Sequence, residues 1–146
     1  IKALGVEFGD QLLTGHFWTK IGQVKSPIEF VCTMGLTFEN ANLDFAQEYA
    51  KAARKAGDHE TADVLAAAHQ DEIRHVKFGW RWLDYFKCES EDHWTAYNKN
   101  ISWPLGPTRA RGVSFDVEAR RMAGFSEEFI LKLKAAAAES PGGNQR

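Results

Sequence analysis

The chain's 146 residues are enough for one domain with a modest hydrophobic core. Its 18 Lys and Arg residues and 20 Asp and Glu residues give a net charge of −2, which disfavours nucleic acid as a partner. No apolar run approaches the ~20 residues of a membrane span, and the first residues lack the pattern of a signal peptide.

Two long helices are predicted in succession. The first is expected over 27–56, because Ser26 suits its N-cap position and nothing ends the pattern before Gly57. Asp58 suits the N-cap of the second helix, which is expected over 59–87. A connection this short allows only an antiparallel helix hairpin.

Shorter helices are predicted after the hairpin. Ser90 and Asp116 each suit the N-cap of a short helix, and Ser126 opens a last one. No segment has a strong strand pattern. We therefore expect a single all-α domain over residues 1–138 and a disordered tail over 139–146.

Three residues form a candidate metal site. Glu72 and His75 make a Glu-x-x-His on the second helix, a spacing that puts a carboxylate and an imidazole on one face. Glu39 precedes Gly57 by 18 residues, and Glu72 and His75 follow Asp58 by 14 and 17 residues. At ~1.5 Å per residue, the three lie ~27, ~21 and ~26 Å from the turn. They are therefore expected at nearly the same level on antiparallel neighbours.

The residues around these positions predict that the carboxylates face inward. One stripe of the second helix contains Leu65, Ala68, Glu72, His75, Gly79 and Trp82. One side of the first contains Gly35, Glu39, Ala46, Ala50 and Ala53. A buried carboxylate needs a metal ion, a salt bridge or a proton. A metal-free pair of Glu39 with His75 or Arg81 thus stays open as an alternative.

Further polar residues are candidates for contact with the ligands. His69 lies three residues before Glu72, but its helical phase is ~120° from that of His75. We expect it either beside the site or exposed. Asn42 and Asp71 are the other two candidates for this supporting position.

The pattern of one Glu followed by Glu-x-x-His on the next helix resembles one half of the ferritin-like di-metal carboxylate superfamily. Within that superfamily, the sequence is most similar to an uncharacterised ferritin-like family of bacterial proteins, described as a domain of unknown function. The similar stretches are ALGVEFGD (3–10), LTFENANLDFA (36–46), DEIRHV (71–76) and ARRMAGF (119–125). The resemblance implies a ferritin-like helical bundle in which Glu39 is the third-helix ligand and Glu72 and His75 are the fourth-helix pair.

The family pattern has another Glu and another Glu-x-x-His on two earlier helices. Residues 1–23 are too short for both and contain no Glu-x-x-His. We therefore hold two expectations: either two upstream helices of the same protein are missing from the chain, or a homodimer completes a four-helix bundle with six ligands.

The resemblance implies a dinuclear iron or manganese cofactor, since carboxylate-rich, histidine-poor sites suit these metals. The leading hypothesis is an oxidoreductase that activates oxygen or peroxide on an unknown substrate. One alternative is an iron or manganese binding or storage protein without an organic substrate. Another is a metal-free helical interaction module. The two cysteines, Cys32 and Cys88, form no CxxC pair, so we expect reduced thiols in a cytoplasmic protein.

Overall fold

The computed structural model describes residues 5–7, 9–10, 12, 15–102 and 105–136 of the chain. Every regular element in these residues is helical and none is a strand, which confirms the all-α class. The α-helices are α1 His16–Ile21, α2 Pro27–Thr33, α3 Asn40–Lys55, α4 His59–Phe86, α5 His93–Lys99, α6 Val117–Met122 and α7 Glu127–Ala136. None of them is long and apolar enough to cross a membrane. The predicted tail, 139–146, lies outside the described residues.

The first long helix is continuous from α2 to α3 and contains a π-helical segment, Met34–Glu39. It begins where predicted, because the Ser26 side chain accepts a hydrogen bond from the Glu29 amide at 3.2 Å. It ends at Lys55, one residue before the predicted end. The predicted helix over 27–56 is thus confirmed, but the π-helical segment inside it was not predicted.

The turn after α3 produces the predicted hairpin. Gly57 adopts φ 82°, a left-handed conformation that glycine accepts without strain. The Asp58 side chain then accepts the Thr61 amide at 3.0 Å and caps α4. The helix predicted over 59–87 is observed as His59–Phe86.

The C-terminal helices α5 and α6 pack against the hairpin, and α7 packs against both of them. The cap of α5 was predicted wrongly: Asp92, rather than Ser90, accepts the Thr95 amide at 3.0 Å. Asp116 caps α6 as predicted, through the Ala119 amide. These helices and the hairpin enclose one core, whose members are Val31, Cys32, Leu36, Leu43, Ile73, Val76, Leu83, Ala96, Tyr97, Ala110, Ala119, Ala123, Phe125, Phe129, Ile130 and Leu133.

A fully buried ion pair ties α6 to α3. Both Asp44 and Arg120 have no exposed surface, and the Arg120 guanidinium donates to both Asp44 carboxylate oxygens at 2.9 Å. Asp44 also accepts the amides of Gly112 and Asp116. Because both charges are paired and hydrogen-bonded, the interior tolerates them. The pair fixes the connection before α6 against the hairpin.

Candidate metal centre

The structure brings the three predicted ligands together. One potential ligand atom from each of Glu39, Glu72 and His75 lies within 4.8 Å of the other two. His75 Nδ1 is 3.4 Å from Glu72 Oε2 and 3.9 Å from Glu39 Oε1. The similar heights above the turn that the residue counts predicted therefore correspond to proximity across the hairpin.

Glu39 is the last residue of the π-helical segment, which sets the direction of its side chain. A π turn contains one more residue than an α turn, so it shifts the helical phase of the residues after it. Side chains hydrogen-bond two carbonyls along this part of the helix. Thr37 Oγ1 donates to the Cys32 carbonyl at 2.8 Å, and Asn40 Nδ2 donates to the Leu36 carbonyl at 3.3 Å.

Two glycines let the helices approach closely beside Glu39. A Cβ atom on Gly35 would lie 2.9 Å from the Gly79 Cα atom, and one on Gly79 would lie 3.0 Å from the Gly35 Cα atom. Neither glycine has room for a side chain at this crossing. The same hypothetical Cβ on Gly35 is 3.7 Å from Glu39 Oε2, so the crossing borders the site.

The site contains a carboxyl group with a raised pKa and a buried carboxylate oxygen without a hydrogen bond. Burial raises the pKa of Glu39 above its ordinary value; the charge of His75 opposes this shift and that of Glu72 adds to it. Asn42 Nδ2 donates to Glu72 Oε1 at 3.1 Å. Glu72 Oε2 is buried and accepts no hydrogen bond from any residue that the structure describes. His75 Nδ1 approaches this oxygen to 3.4 Å without forming a hydrogen bond, so a cation would satisfy the oxygen. The donor set therefore fits a metal ion.

The other candidate residues lie in different surroundings. Asn42 contacts Glu72 through the hydrogen bond to Oε1. Asp71 points outward and forms an ion pair with Arg74. His69 is buried: its Nε2 lies 3.0 Å from Gln47 Nε2 and 3.4 Å from an Asp116 carboxylate oxygen. The exposed one of its two expected positions is therefore excluded, and its polar contacts are with Gln47 and Asp116 rather than with the candidate ligands.

The predicted inward stripe of α4 is not its most buried face. The deeply buried residues are Ala62, His69, Ile73, Val76, Gly79 and Leu83. Most of them follow members of the predicted stripe by one residue, or ~100° around the helix. Glu72 and His75 therefore border the core that this chain forms, with the side chains 19% and 54% exposed.

A cavity of about 340 Å³ opens beside Glu39 and His75. Its walls are largely apolar and include Phe30, Val31, Met34, Arg74, Phe78 and the two glycines of the crossing. Phe30 and Phe78 remain 45% and 56% exposed. This face therefore exposes aromatic side chains next to the partly buried carboxylates of Glu39 and Glu72.

The glycine crossing was not predicted, although the sequence contains a signal for it. Gly35 precedes Gly57 by 22 residues and Gly79 follows Asp58 by 21, so the two glycines share a level in the hairpin. The rise per residue that aligned the ligands also aligns the glycines. The hydrogen bond of Thr37 to the Cys32 carbonyl had no such signal, because it depends on the π-helical geometry.

The comparisons with known proteins identify a family and no individual relative. The model of the family described as "Protein of unknown function (DUF455)" matches residues 1–131. Neither the curated proteins nor the solved structures include a significant match to the chain. The match covers most of the sequence and contains all three candidate ligands. The chain therefore belongs to the DUF455 family.

Proposed function

We propose that Glu39, Glu72 and His75 bind iron or manganese and supply half of the ligands of a dinuclear carboxylate centre in a ferritin-like bundle. One observation carries this proposal: a buried oxygen of Glu72 without a hydrogen-bond donor lies among three ligating groups within 4.8 Å. Carboxylate oxygens with one imidazole suit Fe(II) and Mn(II) better than softer metals.

The site residues have distinct roles in this proposal. Glu39 and Glu72 hold the cation with their carboxylates, and the His75 ring completes the set on the exposed side. Asn42 fixes the orientation of Glu72 through its hydrogen bond, as supporting residues commonly do at metal sites. A bound pair of such metals would supply redox chemistry with oxygen or peroxide, so we propose an oxidoreductase acting on an unknown substrate.

We further propose that a second pair of helices covers the site and provides the remaining ligands. The exposed part of His75 and the apolar cavity beside it support this view. A four-helix bundle of this kind takes ligands from all four helices. A second copy of the chain, or helices that precede it in the same protein, would supply them. Sedimentation with and without Mn(II) distinguishes the two sources, since only the first requires a homodimer.

The proposal is tested by anaerobic titration with Mn(II), followed by electron paramagnetic resonance. Wild type should bind about one ion per chain, and Glu72→Gln, which keeps the side chain's shape, should lose this binding. Glu60→Gln is the control, because Glu60 lies exposed in the first turn of the same helix. Equal binding by wild type and Glu72→Gln would exclude the site.

Two other functions predict different results in the same preparation. A metal-free module, in which His75 only pairs with the two carboxylates at 3.4 and 3.9 Å, binds no ion in any variant. A storage protein oxidises and retains many Fe(II) ions per chain without an organic substrate. A dinuclear oxidoreductase stops at its stoichiometric ions.

A further inference from the structure

We infer that Thr37 and Tyr97 are positioning residues, which hold the π-helical segment in the register that directs Glu39 toward Glu72 and His75. This inference rests on the proposed metal site for its functional meaning. Its structural part, the register of Met34–Glu39, can be tested without metal.

The phase of the first long helix depends on the π-helical segment. This segment lies between α2 and α3 and ends at Glu39. If it returned to α-helical geometry, one residue would leave the turn, and Glu39 would rotate by ~100° relative to α2. The Glu39 carboxylate would then leave the level and direction it shares with Glu72 and His75.

Two hydrogen bonds centre on Thr37. Its Oγ1 lies 2.8 Å from the Cys32 carbonyl and 2.9 Å from the Tyr97 hydroxyl, and both Thr37 and Tyr97 have no exposed surface. The Thr37 hydroxyl has one hydrogen to donate, and the Cys32 carbonyl can only accept a hydrogen bond. Thr37 therefore donates to Cys32, and Tyr97 donates to Thr37.

Tyr97 anchors this pair of hydrogen bonds to the C-terminal helices. It belongs to α5 and packs in the core, with its ring centroid 5.6 Å from that of Phe129 in α7. Burial raises the pKa of Tyr97, so its hydroxyl keeps the hydrogen that it donates. The C-terminal helices thereby hold a residue two positions before Glu39. A network of this kind stabilises one backbone register over another, because leaving it strands buried polar groups.

Thr37→Val tests this inference because it keeps the size of the side chain and removes both hydrogen bonds. Thr37→Ser keeps the hydroxyl and should restore the wild-type behaviour. Ile130→Val is the matched control: it removes one buried methyl group in α7 and leaves the Thr37 contacts in place. Tyr97→Phe removes only the hydrogen bond between the Tyr97 hydroxyl and Thr37. It replaces Thr37→Val in the test if Thr37→Val does not fold.

Two measurements are made on each variant. In metal-free protein, nuclear Overhauser effects between Glu39 and His75, with the backbone shifts of residues 34–39, report the register. In the second measurement, the Mn(II) affinity shows whether the three candidate ligands still bind a metal ion. We expect Thr37→Val to lose the Glu39–His75 effects and to bind Mn(II) at least ~10-fold more weakly, the size of loss typical for supporting residues of metal sites. Thr37→Ser and Ile130→Val should match wild type in both.

The outcomes separate this inference from the proposed function. If Thr37→Val, or Tyr97→Phe in its place, keeps the wild-type Overhauser effects, the positioning role is wrong. It is equally wrong if Ile130→Val weakens Mn(II) binding as much as Thr37→Val does. If wild type binds no Mn(II), the metal proposal fails, and the Overhauser effects alone then decide whether Thr37 and Tyr97 set the register.

Discussion

At the scale of single residues, the two cysteines lie in opposite environments. Cys32 has no exposed surface, and burial raises the pKa of its thiol to about 12, with a smaller contribution from the charge of Glu29. Cys88 is exposed. Because the thiolate is the reactive form, Cys32 is protected both by its pKa and by its position.

We therefore expect an alkylating reagent at pH 8 to modify Cys88 and leave Cys32 intact in the folded protein. Mass spectrometry of the reacted chain should show a single adduct, and unfolding in urea should allow a second. Modification of both thiols at similar rates in the native protein would contradict the burial of Cys32.

His93 predicts a pH dependence of stability. Burial lowers its pKa, although the Asp84 carboxylate, 3.1 Å away, favours the charged form. The unfolded chain therefore binds this proton more readily than the folded chain. Stability from this group is complete above the ordinary pKa of 6.5 and is lost as pH falls through 6.5 toward the lower folded value.

The variant His93→Gln removes this titration. The free energy of unfolding of wild type, measured by urea denaturation, should fall relative to that of His93→Gln between pH 7.5 and pH 5. His59→Gln is the control, since His59 is exposed at the start of α4. An unchanged difference between wild type and His93→Gln over this range would show that His93 is not the responsible group.

At the scale of elements, the crossing of the first long helix and α4 depends on Gly35 and Gly79. Gly79→Ala would place a Cβ atom 3.0 Å from the Gly35 Cα atom, and backbone cannot move aside as a side chain can. Overpacking of this kind costs ~1–3 kcal/mol, while replacing glycine inside a helix gains up to ~1 kcal/mol. We expect a net loss of about 1 kcal/mol in urea denaturation. Gly106→Ala should be neutral, because its added Cβ would meet no atom of the described residues within 4 Å apart from its chain neighbours. A stabilised Gly79→Ala would contradict the close crossing.

The neighbours Arg120 and Arg121 allow the stability contribution of a buried ion pair to be compared with that of an exposed one. Arg120→Met leaves Asp44 charged and buried, which should cost ~3–5 kcal/mol. Arg121 pairs with Glu118 and Glu127 at the surface, with its side chain 47% exposed, so Arg121→Met should cost far less than Arg120→Met. Urea denaturation measures both. Equal losses would mean that the Asp44–Arg120 pair does not anchor α6.

At the scale of the whole molecule, local signals predicted the hairpin well. The caps at Ser26 and Asp58 and the left-handed Gly57 each act within one helical turn, so the sequence alone contains them. The rise per residue then aligned Glu39 with His75. Such short-range rules were sufficient to predict the fold class, the helix lengths and the proximity of the candidate ligands.

The features that the sequence did not predict depend on long-range contacts. Asp44 and Arg120 are 76 residues apart, and nothing in either segment indicates the partner. The π-helical segment changes the phase of a helix without changing its composition, so periodicity alone does not detect it. Most of the buried residues of α4 lie one position after the predicted stripe, because α4 packs against α5 and α6 as well as the first long helix, and the positions of α5 and α6 were unknown.

Metal binding should stabilise the entire fold. A ligand that binds only the native state at 100 times its Kd adds about 2.7 kcal/mol to the free energy of unfolding. Mn(II) should therefore raise the stability of wild type in urea by this amount and leave Glu72→Gln unchanged. A chelator should reverse the gain. The same rise in Glu72→Gln would indicate that Mn(II) binds elsewhere on the chain.

The most direct test of the central claim is a crystal structure of the Mn(II)-loaded protein, with the metal located by its anomalous scattering. Our account predicts an ion bonded to the carboxylates of Glu39 and Glu72 and to the His75 ring, with Asn42 still donating to Glu72. A Mn(II) ion found only at other residues, with Glu39 and Glu72 still paired to His75, would contradict it.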